Sequence, residues 1–420
     1  MNAASNPGVG ASRLRLGMVG FGTAARAFLP ALAQQSGFEL AAIADPVAAI
    51  RAEAAVELGV ATYDRIEALL AHPGLDAVYV GSPTQLHREH VELACRAGKH
   101  VLVEKPMAAS LADALSMNAA AADAGVVLLV GHSHSYDEPI HAMHALIESG
   151  TLGRVRMVNT WCYTDWIYRP RRPDELDDRE GGGVTIRQGA HQFDIIRLLC
   201  GGEARTVRAK TFDWDPQRRA TGAHVVFIEF GNGAAATAVY NGYGRFSSSE
   251  LHGGIGEWGF ETVAPRGDCV RAAATPEDEL LAKRARAKHA IPGRVPHQPH
   301  FGLTLVSCER GDIRQSPDGL LVYTDAGVSS LALPTDTSPR ERVMAEFHGA
   351  ITGRVPALHD GQWAMANLEI CVAALKSSRE GRDIALTHQC APRARQSARQ
   401  PDYPTSETPI PPHGAPVRPA

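Results

Sequence analysis

No C-x-x-C pair occurs among the seven cysteines, which stand at Cys95, Cys162, Cys200, Cys269, Cys308, Cys371 and Cys390. Their odd number and wide scatter speak against a disulfide framework and a cysteine-based zinc site. They fit buried thiols in a reducing cytoplasm. No run of about 18 apolar residues is available to cross a membrane. The opening MNAASNPGVGASRLRLG lacks the apolar core of a signal peptide, so a soluble cytoplasmic protein is expected. Positive charge is not in excess. The net charge is −4, and neither nucleic acid nor a membrane surface is an expected partner. No internal repeat is visible. What remains is a chain of 420 residues, 44% hydrophobic and 21% charged: globular, and too long for one ordinary domain.

From Leu14 the pattern alternates. RLGMVG, ELAAIAD, DAVYVGSP, HVLVEKP and VVLLVGHS are short apolar runs. TAARAFLPALAQQ (interrupted by Pro30), VAAIRAEAAVELG and QLHREHVELACRAG between them have helical spacing. Strands alternating with helices predict an α/β fold with a doubly wound parallel sheet. After about residue 150, VRMVNTWCYT, TVRAKTFDW, AHVVFIEF and AAATAVYNGYG predict a large open, mostly antiparallel sheet, interrupted by one helix beginning near Ile186. FGLTLVSCE and GLLVYT return to strand texture, and two helical stretches follow. The expected division is a flexible arm over 1–13, a dinucleotide-binding domain over 14–150 and a second α/β domain over 151–386. Residues 250–300 read as an insertion, part of the C-terminal helical region is expected to pack back on the first domain, and 387–420 read as a disordered tail.

In VGFGTAARAF, Gly20, Gly22 and Ala25 form G-x-G-x-x-A directly after the first strand. The first glycine permits a tight turn, the second lets backbone approach a pyrophosphate, and the small third residue lets helix and strand pack. Amides at the following helix start face the phosphates. Asp45 ends the second strand, where a carboxylate accepts both hydroxyls of an adenosine ribose and repels a 2′-phosphate. NAD is expected over NADP.

VEKP puts Glu104, Lys105 and Pro106 at the carboxyl end of a strand, the edge where ligands collect in open parallel sheets. In TIRQGAHQFDII, Arg187, His191 and Asp194 are spaced to share one helical face.

Taken together, GFGTAA, Asp45, SPTQLHREHVELACRAGKHVLVEKP and GGG…GAHQFD resemble the Gfo/Idh/MocA family over about residues 14–385. The resemblance implies a Rossmann domain followed by an α/β domain whose open sheet packs against a partner subunit, making a homo-oligomer, dimer or tetramer. It implies cofactor contacts from Gly20, Phe21, Gly22, Thr23, Ala24, Asp45, Ser82, Pro83, Thr84, His87, Glu104 and Lys105. It places Lys105 against the reacting oxygen and His191 as the main proton acceptor, with Asp194 orienting the imidazole or binding substrate. Two departures stand out. Arg187 occupies a place where many sugar-oxidising relatives carry an aspartate, and His134 with Ser135 replaces residues that are basic in many relatives.

An arginine there favours an anionic substrate, because guanidinium pairs with carboxylate. YTDWIYRPRRPDELDD adds Arg169, Arg171 and Arg172 beside Tyr163, Trp166 and Tyr168, aromatics to flank a ring and arginines to bind carboxylates, with Tyr163, Arg169 and Arg171 as expected substrate contacts. Alternatively, this is a solvated loop whose arginines pair with Asp174, Glu175, Asp177 and Asp178. With NTWCYTDW and RQGAHQFDIIRLL, the stretch resembles the phthalate 4,5-cis-dihydrodiol dehydrogenases within the family. That resemblance implies oxidation of a carboxylated ring diol to 4,5-dihydroxyphthalate. The alternatives are a dehydrogenase of another cyclic polyol, sugar or sugar acid, and a non-catalytic NAD-binding regulator, which the presence of both Lys105 and His191 disfavours. His132, His134, His141, His144, His297 and His300 raise a zinc site, but helix-surface histidines are the simpler expectation and no metal is assigned.

Overall fold

The computed structural model describes residues 13–34, 37–262, 275–289 and 295–392. Nearly all of the expected N-terminal arm and most of the expected tail lie outside the described residues, as do parts of the 250–300 insertion. The first six strands are β1 (Leu14–Val19), β2 (Phe38–Ala44), β3 (Ala61–Tyr63), β4 (Ala77–Val80), β5 (His100–Val103) and β6 (Leu128–Val130). They form one parallel sheet in the order β3-β2-β1-β4-β5-β6. Helices cover both faces, so these strands are continuous apolar runs: Ala77 to Val80 and Val101 to Val103 are almost wholly buried. Strand order reverses between β1 and β4, which opens a crevice at their carboxyl ends.

The remaining strands are β7 (Val155–Tyr163), β8 (Ala204–Phe212), β9 (Ala223–Phe230), β10 (Ala235–Asn241), β11 (Leu303–Cys308), β12 (Gly311–Ser316), β13 (Gly319–Thr324), β14 (Gly327–Ala332) and β15 (Ile384–Ala385). They form a second sheet ordered β14-β13-β12-β11-β7-β10-β9-β8-β15, in which only the β7–β10 pair is parallel. Period-two burial along AHVVFIEF shows one covered and one open face. The covered face packs on the helices Gly189–Cys200 and Gly361–Glu380. The open face presents Met157, Trp161, Val225 and Phe227, each more than two-fifths exposed.

The chain returns to the first sheet near its end. Ser338 and Glu341 make a reciprocal capping box, with Pro339 opening the helix Pro339–Ile351. Its Val343, Met344 and Phe347 join the core around Leu16 and Phe38, and the rings of Phe38 and Phe347 stack with centroids 5.4 Å apart. Asp360 caps the helix Gly361–Glu380 by accepting from Trp363 N. The expectation of disorder from residue 387 is corrected for the described part. Thr387 N and His388 N donate to Glu369, and Arg197 donates to Cys390 O, so this stretch is tied to the second sheet's core.

The helix expected near Ile186 is also corrected. It is two helices, Gly183–Arg187 and Gly189–Cys200, that part at Gln188. Arg187 and His191 therefore do not ride one continuous helix.

Candidate active site

The turn after β1 is built by its glycines. Gly20 has φ +82°, and a Cβ there would lie 2.9 Å from Gly81 O, so the turn abuts the loop after β4. Around Gly22 a Cβ would meet nothing within 4 Å, which leaves open space where a phosphate approaches backbone. Asp45 Oδ2 accepts from Phe21 N and Oδ1 from Val47 N, each at 2.9 Å. Each carboxylate oxygen keeps further lone-pair capacity for a ribose hydroxyl. These residues fit a dinucleotide.

They line a cavity of about 790 Å³ that also holds Ser82, Pro83, Thr84, His87, Glu104 and Lys105. His87 is buried, with Nε2 2.9 Å from Ser82 O and Nδ1 3.1 Å from Pro106 O. Burial lowers its pKa to about 4, so it is neutral and donates to one of these carbonyls at a time. It braces the two loops against each other and carries no charge to the cofactor.

Lys105 follows β5, and its peptide bond to Pro106 is cis. Its Nζ donates to Arg187 O at 3.3 Å. Burial is the main cause that brings its pKa down to about 8; Glu104 opposes this, and the Arg187 and Arg171 charges add to it. His191 lies in the first turn of the helix Gly189–Cys200, and its ring meets that of His134 edge-on at 4.6 Å. Its Nδ1 has no hydrogen-bond partner among the described residues. Burial, followed by the Lys105 and His134 charges, holds its pKa well below the ordinary imidazole value. His134 behaves oppositely. Burial works against its charge, but Asp137 at 2.9 Å and Glu257 at 3.5 Å prevail and raise its pKa to about 9. A neutral imidazole thus rests against a cationic one.

Arginines form the next wall. Arg171 stacks over Trp166 at 3.8 Å and donates Nε and Nη2 to Trp166 O. Arg187 donates to Thr84 Oγ1 at 3.2 Å and pairs with Glu175 Oε1 at 3.3 Å. Arg171 reaches the same Glu175 oxygen at 3.9 Å. Arg169 pairs with Asp165 at 2.7 Å and lies 3.8 Å from Glu257, while Arg172 is held by Asp174 at 2.8 Å. Some of this loop's arginines are thus paired with its acids, and Arg169 and Arg171, with Arg187 from the helix Gly183–Arg187, line the cavity.

Two expected site residues are elsewhere. Tyr163 does not line the cavity; it shares strand parity with exposed Trp161, and its ring packs against Phe246 at 5.4 Å. Asp194 is fully buried behind the site. Its Oδ1 accepts from Trp363 Nε1 at 2.5 Å and Asn367 Nδ2 at 3.0 Å, and Oδ2 faces His359 Nε2 at 3.6 Å. It neither orients His191 nor reaches the cavity, because its oxygens are turned to the helix Gly361–Glu380. The expectation of helix-surface histidines is corrected too, since His132, His134 and His300 are buried. Among the described residues, no group of three or more His, Cys, Asp or Glu side chains is placed to hold a metal ion.

Comparison with known proteins agrees with this architecture. Residues 14–132 match the Gfo/Idh/MocA oxidoreductase model, described as an NAD-binding Rossmann fold, and residues 140–253 match the family's C-terminal domain. The 1-carboxy-3-chloro-3,4-dihydroxycyclohexa-1,5-diene dehydrogenase of Comamonas testosteroni is 38% identical over 378 residues, covering 87% of this chain and 95% of the relative. The chain belongs to the Gfo/Idh/MocA family. A solved Bordetella bronchiseptica RB50 protein assigned as a dehydrogenase superposes with TM-score 0.84 at 37% identity, covering 89% of this chain and all of the other. An Agrobacterium radiobacter oxidoreductase, solved with NAD+, L-tartaric acid and magnesium, shares the fold at TM-score 0.67 and 20% identity, covering 89% of this chain and 98% of the other. This family member is thus an NAD-binding oxidoreductase of the dehydrogenase kind, and a 1,5-anhydro-D-fructose reductase of Ensifer adhaerens, 35% identical over 192 residues that cover 44% of this chain and 56% of the relative, is among its similar proteins.

Trp166 and Glu175, both singled out in the sequence, line the cavity of this Gfo/Idh/MocA protein, whereas Glu257, Trp258, Lys283 and Arg340 carry no sequence signal for it. Glu175 is one of four acids in its loop, and nothing local marks it as the buried partner of Arg187. Glu257, Trp258 and Lys283 belong to the insertion, which therefore borders the cavity of its own chain. No helix among the described residues is long and apolar enough to cross a membrane.

Proposed function

We propose that this dehydrogenase oxidises a carboxylated cis-dihydrodiol of a cyclohexadiene to the corresponding catechol, with phthalate 4,5-cis-dihydrodiol as substrate and 4,5-dihydroxyphthalate as product. One observation carries this proposal. The cavity that contains the dinucleotide turn and Lys105 is walled by Arg171 and Arg187, which share the single carboxylate of Glu175. Positive charge left over on that wall suits a carboxylate on the ring. The Comamonas relative's name, a carboxylated dihydroxycyclohexadiene dehydrogenase, supports the same substrate class.

NAD supplies the acceptor for the hydride leaving the hydroxyl-bearing carbon. Lys105, in its neutral form, takes the proton of that hydroxyl. The resulting hydroxy-ketone loses a ring proton to its own oxygen and becomes aromatic. The family resemblance points instead to His191 as the main acceptor. The cationic His134 ring beside it makes a second positive charge there costly, so we assign His191 a hydrogen bond to the substrate's hydroxyls as a neutral imidazole.

A substrate screen tests the proposal. Catechol absorbance and NADH should appear together with the phthalate dihydrodiol, and turnover confined to inositols, hexoses or uronates would overturn it. Arg187→Leu should raise KM for the carboxylated diol about 10-fold with a smaller effect on kcat. An unchanged KM removes the carboxylate contact.

We also infer a homo-oligomer joined through the open face of the second sheet, where Met157, Trp161, Val225 and Phe227 are exposed side by side. Sedimentation should give a dimer or tetramer, and Trp161→Glu with Phe227→Glu should dissociate it. A wild-type monomer refutes this. The free cysteines are in keeping with a cytoplasmic home.

A further inference from the structure

The insertion contributes a helix, Pro276–His289, that packs against the short helix Thr23–Arg26 after the glycine turn. Glu279 pairs with buried Arg218 and pins the helix to the chain just before β9. Leu280, Lys283 and Arg284 then line the cavity. Lys283 Nζ makes an ion pair with Glu175 Oε2.

Glu175 is a fixed charge. It is 2% exposed, and its Oε2 accepts from Arg172 N at 2.8 Å, closing the turn Pro173–Leu176. Its Oε1 is shared by Arg187 and Arg171. The carboxylate is thus surrounded on both oxygens, by two guanidinium groups and the titratable amine of Lys283. A guanidinium has five donors and an ammonium three, so most of their N–H groups are not spent on Glu175. Arg169 and Arg172 add no further charge, because Asp165 and Asp174 hold them. Burial is the main cause that lowers the Lys283 pKa to about 7, so one positive charge is in excess at this wall when Lys283 is neutral and two when it is protonated, and a second carboxylate draws the proton onto it.

Resting on the substrate class proposed above, we propose that Lys283 is a specificity-determining residue that makes this wall a receptor for two neighbouring carboxylates. Arg187 and Arg171 present planar forks that suit one carboxylate. The second carboxylate, on the adjacent ring carbon, takes the compact ammonium of Lys283, whose rotatable donors reach both Glu175 and a ligand. A dianion then cancels the excess charge. A monoanion leaves the site of Lys283 unfilled beside half-buried guanidinium groups, which is where the selectivity arises.

The test uses the full chain with NAD, and phthalate and benzoate as dead-end ligands. The wild-type enzyme should bind phthalate at least about 10-fold more tightly than benzoate. Lys283→Met should weaken phthalate about 10-fold and benzoate less than about 2-fold, with NADH binding retained as the check on folding. Lys283→Arg should restore most of the preference for phthalate. Equal weakening of both ligands, or none, overturns the proposal, as does a wild type that binds the two alike. Loss of phthalate preference in Lys283→Met without any turnover of the dihydrodiol would keep the receptor and reject the substrate. Dihydrodiol turnover with Lys283→Met indistinguishable from wild type would do the reverse.

Discussion

Lys105→Met lowers kcat by about 100-fold or more while NADH still binds. The physical reason is the position and charge state of the ammonium. Lys105 ends the run from β5 at the crevice where strand order reverses, and its Nζ reaches Arg187 O. Burial and the neighbouring guanidinium charges bring its pKa to about 8, near the pH at which a base is half available. Only the neutral amine accepts the substrate proton. Oxidation should therefore rise with pH up to about 8 and level off above it in kcat/KM, which reports the free enzyme. Lys105→Met should lose that limb along with the rate. A second expectation follows for His191. Its asparagine variant keeps hydrogen-bonding groups, so it should retain the limb and lose less rate. Near-normal turnover in Lys105→Met, with the limb intact, would return the proton to His191.

Asp194→Asn is the largest expected effect on stability, about 3–5 kcal/mol. Asp194 is wholly buried and faces His359, while Arg197 from the next turn of the same helix donates to Asn367. Removing the negative charge leaves those cations in a dry interior with less compensation. The pH dependence has a defined sign. Burial opposes the charge on His359, but Glu346 and Asp194 overcome it and raise its pKa to about 9. Stability from that shift is complete below the unfolded histidine value and is lost as pH rises through about 9. For Asp194, burial is again overcome, by His132 and His359, and its carboxyl is held below the ordinary value. Its contribution is present above the unfolded aspartate pKa and is lost only as pH falls through the folded one. Thermal melts across about pH 6–10 should show the Asp194→Asn variant less stable throughout, with a shallower alkaline decline. A melting temperature equal to wild type would refute the role of Asp194 as the counter-charge of this buried network.

The two replacements separate neighbours that the linear chain presents as one group. His191 and Asp194 are three residues apart, yet the first faces Lys105's cavity and the second faces the helix Gly361–Glu380. Spacing says that two side chains share roughly one side of a helix. It does not say that two different layers meet that side. Tyr163 shows the same limit in a strand: its parity with Trp161 decides its direction, and only the location of the covered face says which parity is inside.

Local chemistry was enough for much of this protein. G-x-G-x-x-A at the end of β1, Asp45 at the end of β2 and VEKP after β5 are read directly, because turn geometry and strand-end position depend on a few adjacent residues. The parallel sheet and the second, mostly antiparallel sheet are likewise visible in periodicity and element order. The charge balance of the site is not. Glu175 gathers Arg171, Arg187 and Lys283 from segments up to 108 residues away, and His134 meets Glu257 across more than a hundred more. Electrostatics depends on distance in space and on burial, and neither is carried by sequence separation. By itself the sequence determined that the chain would hold a dinucleotide beside a lysine and a histidine. Only the tertiary structure decided that His191 rests against a cationic His134, which arginines are already paired, and which residue of the insertion meets Glu175 at the cavity wall.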